Sequence, residues 1–167
     1  MTPKQFVEKF RKEALHTEKV KGIDHRFTLA QAALESAWGE SAPGNMFFGV
    51  KASKDTHPSK KQLLRTTEVL SDDKQGWRFP EVISITKRSD GKYLYVVKDW
   101  FRKYDHPHES FSDHADFFHK NPRYSEALKV KHDPYLFADA VARAGYATDP
   151  NYAASLKRVI QTIEKNV

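Results

Sequence analysis

The 167-residue chain contains no cysteine. That absence excludes a disulfide framework, a thiolate metal site and a cysteine nucleophile, and it leaves the redox compartment open. No apolar run approaches the roughly 20 residues of a membrane-spanning helix, so membrane insertion is not expected. The opening segment MTPKQFVEKFRKEA reads as an amphipathic helix instead of a signal peptide. No Gly/Ser/Pro-rich linker and no internal repeat divides the sequence, which reads as one domain over residues 1–167, expected to be a monomer. There is no G-x-S-x-G elbow, no P-loop and no dinucleotide fingerprint, so serine-nucleophile, phosphoryl-transfer and nicotinamide chemistries lack a starting point and no cofactor is expected.

Acidic residues are outnumbered, with 22 Asp and Glu against 28 Lys and Arg, a formal charge of +6 and a pI near 9.4. The excess favours a polyanionic partner, whether nucleic acid, an anionic membrane or a bacterial cell wall. The basic run from Lys51 to Lys61 lacks interleaved aromatics, which argues against nucleic acid and for a solvated loop or one drawn to anionic wall polymers. With 39% hydrophobic and 13% aromatic residues, the chain can bury a core and fold unaided.

Periodicity outlines a mainly α protein of the α+β class. The first helix has Thr2 as N-cap, Pro3 at the first helical position and Gln5 closing a capping box; Phe6, Val7, Phe10, Ala14 and Leu15 point inward, and Gly22 ends it. A second helix starts from Thr28 and Gln31, which have capping-box spacing, and stops at Gly39. Alternation from Gln62 to Leu70 suits a strand, with Leu64, Thr66, Glu68 and Leu70 on one face. Val82–Thr86 and Tyr93–Val97 flank Ser89-Asp90-Gly91 as a hairpin. Helices resume with Ser110 capping a segment to Phe118; Asn121-Pro122 breaks it, Asp133-Pro134 starts another ending near Gly145, and Asp149-Pro150 starts the last, running to about Lys165. The expectation is a helical body with a small antiparallel β lobe at about 52–98, and a groove between them for an extended ligand.

One acid stands out. Leu29, Ala30, Ala32, Ala33, Leu34, Ala37 and Trp38 leave the second helix almost no polar face, yet Glu35 sits in its last turn. Apolar neighbours and the negative end of the helix dipole both disfavour its ionised form, which pushes its pKa toward the range of a general acid. The alternative is a partly exposed Glu at a frayed helix end. Tyr146, between two helices, either projects its phenol into the groove or plugs a helix junction. The eight histidines include His106 and His108, but His114 and His119 are five apart and H-E-x-x-H is absent, so no metal site is expected.

The run E-S-A-W-G-E-S followed by G-N-M-F-F-G-V-K-A resembles the signature of bacterial endo-β-N-acetylglucosaminidases of the flagellar peptidoglycan-hydrolase and autolysin type. The resemblance continues through Phe101-Arg102-Lys103-Tyr104, Glu109-Ser110-Phe111, Asp113-His114-Ala115, Asn121-Pro122-Arg123-Tyr124 and Gly145-Tyr146-Ala147-Thr148-Asp149-Pro150. It implies a lysozyme-like fold and cleavage of peptidoglycan glycan strands, with a muramidase or lytic transglycosylase as the sister chemistries and a non-catalytic wall-binding module as the alternative of another class. Under it, Glu35 is the general acid and Glu68 of Thr66-Thr67-Glu68 matches the T-x-E of the family's β lobe as the second carboxylate. Asp72, Asp73 and Asp113 are the fallbacks, each also explained by turn chemistry or the helix dipole. Tyr146 then lines the active site, and Phe48 and Trp77 would stack on sugar faces, though both also read as lobe core. Family members commonly carry a signal peptide and wall-binding repeats. Their absence here suits an excised domain, a phage lysin or an effector delivered into a rival's periplasm by a secretion machine, and a basic effector would be matched by an acidic inhibitor protein.

Overall fold

The computed structural model describes residues 1–167 and contains five α-helices and one three-stranded antiparallel sheet. The chain divides into two compact units, a helical one made of residues 1–48 and 104–167 and a sheet unit of residues 49–103. The sheet unit is therefore wider than the lobe expected at 52–98, because its last strand runs on to Arg102.

In the helical unit α1 spans Pro3–Lys21, with the Thr2/Gln5 capping box in place and Gly22 in the left-handed conformation, its N–H on the Glu18 carbonyl. Phe6, Val7, Phe10 and Ala14 are buried as the spacing requires, but Leu15 is exposed and Thr17 takes the inward position instead. Helix α2, His25–Glu35, begins a turn earlier than expected. Asp24 caps it by accepting from the Arg26 N–H, so Thr28 and Gln31 lie inside the helix and do not cap it. Seven consecutive residues, Phe27 to Ala33, are buried. A helix covered on every side is a central one, and α1, α4 and α5 pack around it.

Helix α3 spans Pro107–Lys120, with the Glu109 carboxylate accepting from the His106 N–H. Ser110 is not its cap. The signal that sets the start is Pro107 at the first helical position, and Ser110 lies buried one turn in, accepting from the Phe47 N–H. Helix α4, Pro134–Arg143, starts at Asp133, whose carboxylate takes the Tyr135 and Leu136 N–H groups. Helix α5, Tyr152–Glu164, begins two residues past Pro150, because Asp149 turns the chain by accepting from the Asn151 N–H. Tyr152, Leu156, Ile160 and Ile163 form its buried stripe. Aromatic edges knit this unit: Phe111 meets Phe10, Phe47 and Phe48, and Phe27 meets Phe118 and Phe137.

In the sheet unit β1 (Lys61–Leu70) and β2 (Glu81–Lys87) flank β3 (Tyr93–Arg102), in the order β1-β3-β2. The alternation of β1 appears as expected: Leu64, Thr66, Glu68 and Leu70 are half-buried and Leu63, Arg65, Thr67 and Val69 exposed. The Ser89-Asp90-Gly91 hairpin joins β2 to β3, and a bulge between Val82 and Ser84 breaks the register of the exposed edge strand. Tyr95 and Val97 are fully buried; the Tyr95 hydroxyl donates to the Asp72 carbonyl and accepts from the Gln75 N–H.

Candidate active site

The end of α2 is built to present Glu35. Ser36 closes the helix, its hydroxyl donating to the Ala32 carbonyl at 2.6 Å and accepting from the Gly39 N–H at 2.9 Å. Ala37 and Trp38 then adopt the left-handed conformation, at φ 50° and 58°, ahead of Gly39 at 84°. Two consecutive non-glycine residues there are uncommon, and such strain collects at sites where side-chain placement matters. The strained turn ends the helix abruptly at Glu35. That residue stays exposed although the seven residues Phe27–Ala33 of its helix are buried.

The carboxylate of Glu35 has one hydrogen-bond partner given by the geometry, the Tyr152 hydroxyl, which donates to Oε1 at 3.1 Å. Protein packed around the carboxylate removes water and raises its pKa above the usual carboxylate value, and the Tyr152 bond offsets part of that rise. The direction is the one that the apolar helix implies. Behind Tyr152, the Gln31 amide donates to the tyrosine oxygen at 2.9 Å, and Gln31 Oε1 meets His114 Nε2 at 2.5 Å. Burial holds the His114 pKa down to about 3, so this imidazole is neutral.

Tyr146 lies in the same neighbourhood, stacked on Tyr152 with centroids 5.5 Å apart and in edge contact with His114 and Phe117. Burial raises its pKa, and the nearby Glu35 charge raises it further, so the phenol keeps its proton. The structure thus brings Glu35 and Tyr146 into one electrostatic neighbourhood. Phe48 is 3% exposed and stacks face to face on His114 at 3.6 Å, in the core of the helical unit and not in that of the lobe. Its ring has no open face to offer a ligand. Trp77 is the opposite case, 83% exposed in the turn Gly76–Arg78, and so is not lobe core.

Glu68 belongs to the sheet unit, where Lys51 pairs with it and reaches Asp99 Oδ2 at 3.3 Å. Desolvation pulls the Lys51 pKa down, but the bonds and charges of Glu68 and Asp99 outweigh it and hold the ammonium charged. Asp72 caps a turn through the Lys74 N–H, and Asp113, in the second turn of α3, accepts from the Tyr104 hydroxyl at 2.6 Å. Among metal-ligating groups, Glu18, Asp24 and His25 approach within 4.8 Å of one another. Arg26 already engages both oxygens of Asp24, and His25 Nδ1 bonds Glu18. His106 and His108 stack their rings on each other.

Sequence reasoning missed Tyr152, Gln31 and the polar use of His114. For Gln31 a signal existed: it is the polar residue one turn before Glu35 in a helix otherwise without a polar face, and its side chain faces that of Glu35.

Residues 11–165 match the Glucosaminidase family, described as mannosyl-glycoprotein endo-beta-N-acetylglucosaminidase. The chain belongs to this family of glycoside hydrolases. It is 31% identical over 169 residues to the peptidoglycan hydrolase FlgJ of Vibrio parahaemolyticus, covering 98% of this chain and 48% of that protein. A probable N-acetylmuramidase of Lactococcus lactis is 32% identical over 165 residues, covering 93% of this chain and 32% of the relative. The chain thus spans about half or less of the length of these relatives. Among solved structures, a C-terminally truncated glycoside hydrolase domain of Salmonella typhimurium FlgJ superposes with a TM-score of 0.71 at 31% identity, covering 98% of each chain. The α+β fold is that of such domains. No helix is long and apolar enough to cross a membrane.

Proposed function

We propose that the chain is a peptidoglycan hydrolase that cuts glycan strands internally at the β-1,4 bond between N-acetylglucosamine and N-acetylmuramic acid, with Glu35 as general acid. One observation carries the reading: a part-buried carboxyl at the end of a buried helix, its pKa raised by desolvation, with Oε1 held by a tyrosine donor. A raised pKa favours the protonated form that a general acid uses, and the Tyr152 bond to Oε1 leaves Oε2 as the oxygen to deliver the proton. The names of the FlgJ relatives support peptidoglycan as the substrate, and the +6 charge suits an anionic wall.

In this reading the Glu35 proton passes to the glycosidic oxygen as the bond from C1 to that oxygen breaks. The leaving sugar departs as an alcohol and positive charge develops at C1. Glu68 is proposed as the second carboxylate, either directing water to C1 or attacking it, although the substrate's own acetamido group can fill that role. Tyr146, un-ionised, orients the N-acetyl group or faces the developing charge with its π-cloud. Trp77 offers an exposed ring to a sugar face. The protein would act in the periplasm or cell wall. Its positive charge makes an acidic inhibitor protein the matching partner, and a pull-down from the producing cell that recovers no acidic partner would remove that element.

The test is mass spectrometry of muropeptides released from purified peptidoglycan by the wild type and by Glu35→Gln, after borohydride reduction of new ends. Reduced N-acetylglucosamine termini from the wild type alone are expected. The Lactococcus relative's name favours a second reading, a muramidase, which would leave reduced N-acetylmuramic acid. Anhydro ends would indicate a lytic transglycosylase, and no release would indicate a wall-binding module. Glu68→Gln should cost less activity than Glu35→Gln, because water can be activated without it.

A further inference from the structure

The polar file behind Glu35 is longer than holding one carboxylate requires. It is assembled from three helices: Gln31 from α2, His114 from α3 and Tyr152 from α5, with 83 residues separating His114 from Gln31 and 121 separating Tyr152 from Gln31. Gln31 is 0% exposed, His114 7% and Tyr152 8%. Polar groups this deep are retained in a core only when each partner is satisfied, and a satisfied chain has a direction.

That direction can be read from donors and acceptors. A neutral imidazole has a single N–H, and Gln31 Oε1, an acceptor only, meets His114 at Nε2; the proton therefore lies on Nε2. With its oxygen so engaged, Gln31 turns its NH₂ toward Tyr152 and donates to the phenol oxygen. The one hydroxyl proton of Tyr152 is then left for Glu35 Oε1. Were the amide reversed, its oxygen would capture that proton and Glu35 would lose its donor. That reversal would require the imidazole proton to sit on Nδ1 so that Nε2 could accept from the amide; the ring itself is held in place, with Phe48 parallel to it at 3.6 Å, Phe117 at 5.9 Å and Phe118 edge-on at 4.8 Å.

We propose that His114 and Gln31 are positioning residues that act through Tyr152, fixing its hydroxyl so that Glu35 Oε1 is always the acceptor and Oε2 always carries the transferable proton. The inference rests on Glu35 being the general acid. The arrangement also explains why a histidine is used where no charge is wanted, since a neutral imidazole clamped by aromatic rings is a donor of fixed geometry. Burial supports the neutral form. The other ionisable groups bearing on this region are phenols: Tyr152 from α5, Tyr146 from the loop before it, and Tyr124 from the turn after α3, to which both are coupled. The donor file therefore stabilises the carboxylate formed on proton transfer without bringing a cation to it.

The experiment uses the full chain. The Glu35 carboxyl pKa is followed by carbon-13 NMR of labelled glutamate, assigned against Glu35→Gln, alongside kcat and KM on purified peptidoglycan across pH, with circular dichroism as the folding control. Tyr152→Phe should raise the Glu35 pKa by roughly one pH unit and move the alkaline limb of kcat upward by the same amount. It should lower the plateau about tenfold while KM stays within about twofold. Gln31→Met should shift both in the same direction by less. His114→Gln, which keeps an N–H donor near the Nε2 position, should restore values close to the wild type, whereas His114→Phe should resemble Gln31→Met. A folded Tyr152→Phe protein with Glu35 pKa and kcat unchanged would overturn the proposal, as would folded Gln31→Met with both unchanged, which decides the matter if the His114 variants do not fold. Full activity in Glu35→Gln would instead overturn the general-acid reading, and the NMR titration would still decide whether the file acts on Glu35.

Discussion

The helical and sheet units each hold a candidate acid, and they treat it in opposite ways. Glu35 closes a buried helix and is touched by a neutral donor, with neutral groups behind it. Glu68 sits on a half-buried strand face and is paired with the Lys51 ammonium, which Asp99 shares. Desolvation with a neutral partner keeps a proton within reach of Glu35, which is what proton donation requires. Glu68 instead meets an ammonium that a second carboxylate, Asp99, also engages. The difference suggests that an acid's role is written in the charge of its neighbours more than in its own identity.

The sharpest way to break that comparison is Glu35→Gln. The amide keeps the shape and the Tyr152 contact but has no acidic proton, so activity should fall by about 10² to 10⁴ with the fold retained, read as muropeptide release against circular dichroism. A variant as active as the wild type would leave the raised pKa of Glu35 without a function.

The second difference is in packing. Phe111 is fully buried among Phe10, Phe47 and Phe48, whereas Ile83 sits 44% exposed at the bulge of β2. Phe111→Ala should destabilise by about 3 to 5 kcal/mol in denaturant unfolding. Ile83→Ala, which leaves no cavity, should cost under about 1 kcal/mol.

A third prediction turns on pH. The folded-state pKa of His114 lies near 3 against 6.5 for the free side chain. The unfolded chain therefore binds the extra proton between these values, so stability is fully present above about pH 6.5 and is lost as pH falls toward 3. The loss is on the order of a few kcal/mol. Thermal unfolding of the wild type and His114→Gln across this window should show a shallower pH dependence in the variant, whatever its stability at neutral pH.

These features were legible in the sequence to different degrees. Proline and aspartate punctuation located α4, and alternation located β1, because caps and strand periods are local. Local rules also misled: Thr28 and Gln31 have the spacing of a cap, but Asp24 one turn earlier wins the helix start, and Leu15 lies on the α1 stripe yet faces solvent while Thr17 is buried. Glu35 was visible as an anomaly, a charge in an apolar helix. Its hydrogen-bonding file was not, since Tyr152 and His114 reach Gln31 across 121 and 83 residues. The placement of Phe48 likewise rests on a contact distant in sequence. Its partner His114 lies on a distant helix, and only tertiary structure shows an aromatic beside Gly49 to be core.

A smaller effect tests the strained turn after Glu35. Ala37 at φ 50° occupies a region where glycine has no penalty. Ala37→Gly should therefore leave stability unchanged or raise it by up to about 1 kcal/mol, the relieved strain being offset in part by the greater freedom of glycine in the unfolded chain. If activity drops while stability rises, the strain serves to place Glu35; if both are unchanged, the helix cap alone places it.

The smallest effect expected in stability is at Trp77, and that is what makes it informative. An indole 83% exposed in a short turn contributes little to the core, so Trp77→Ala should leave the unfolding midpoint within about 0.5 kcal/mol of wild type. An exposed indole is open to a ligand, and the apolar faces of pyranose rings pair well with it. Binding of glycan fragments should therefore weaken by a few-fold, appearing in KM with kcat nearly unchanged, the signature of a contact made equally in the ground and transition states. Unchanged KM together with unchanged stability would make Trp77 a bystander.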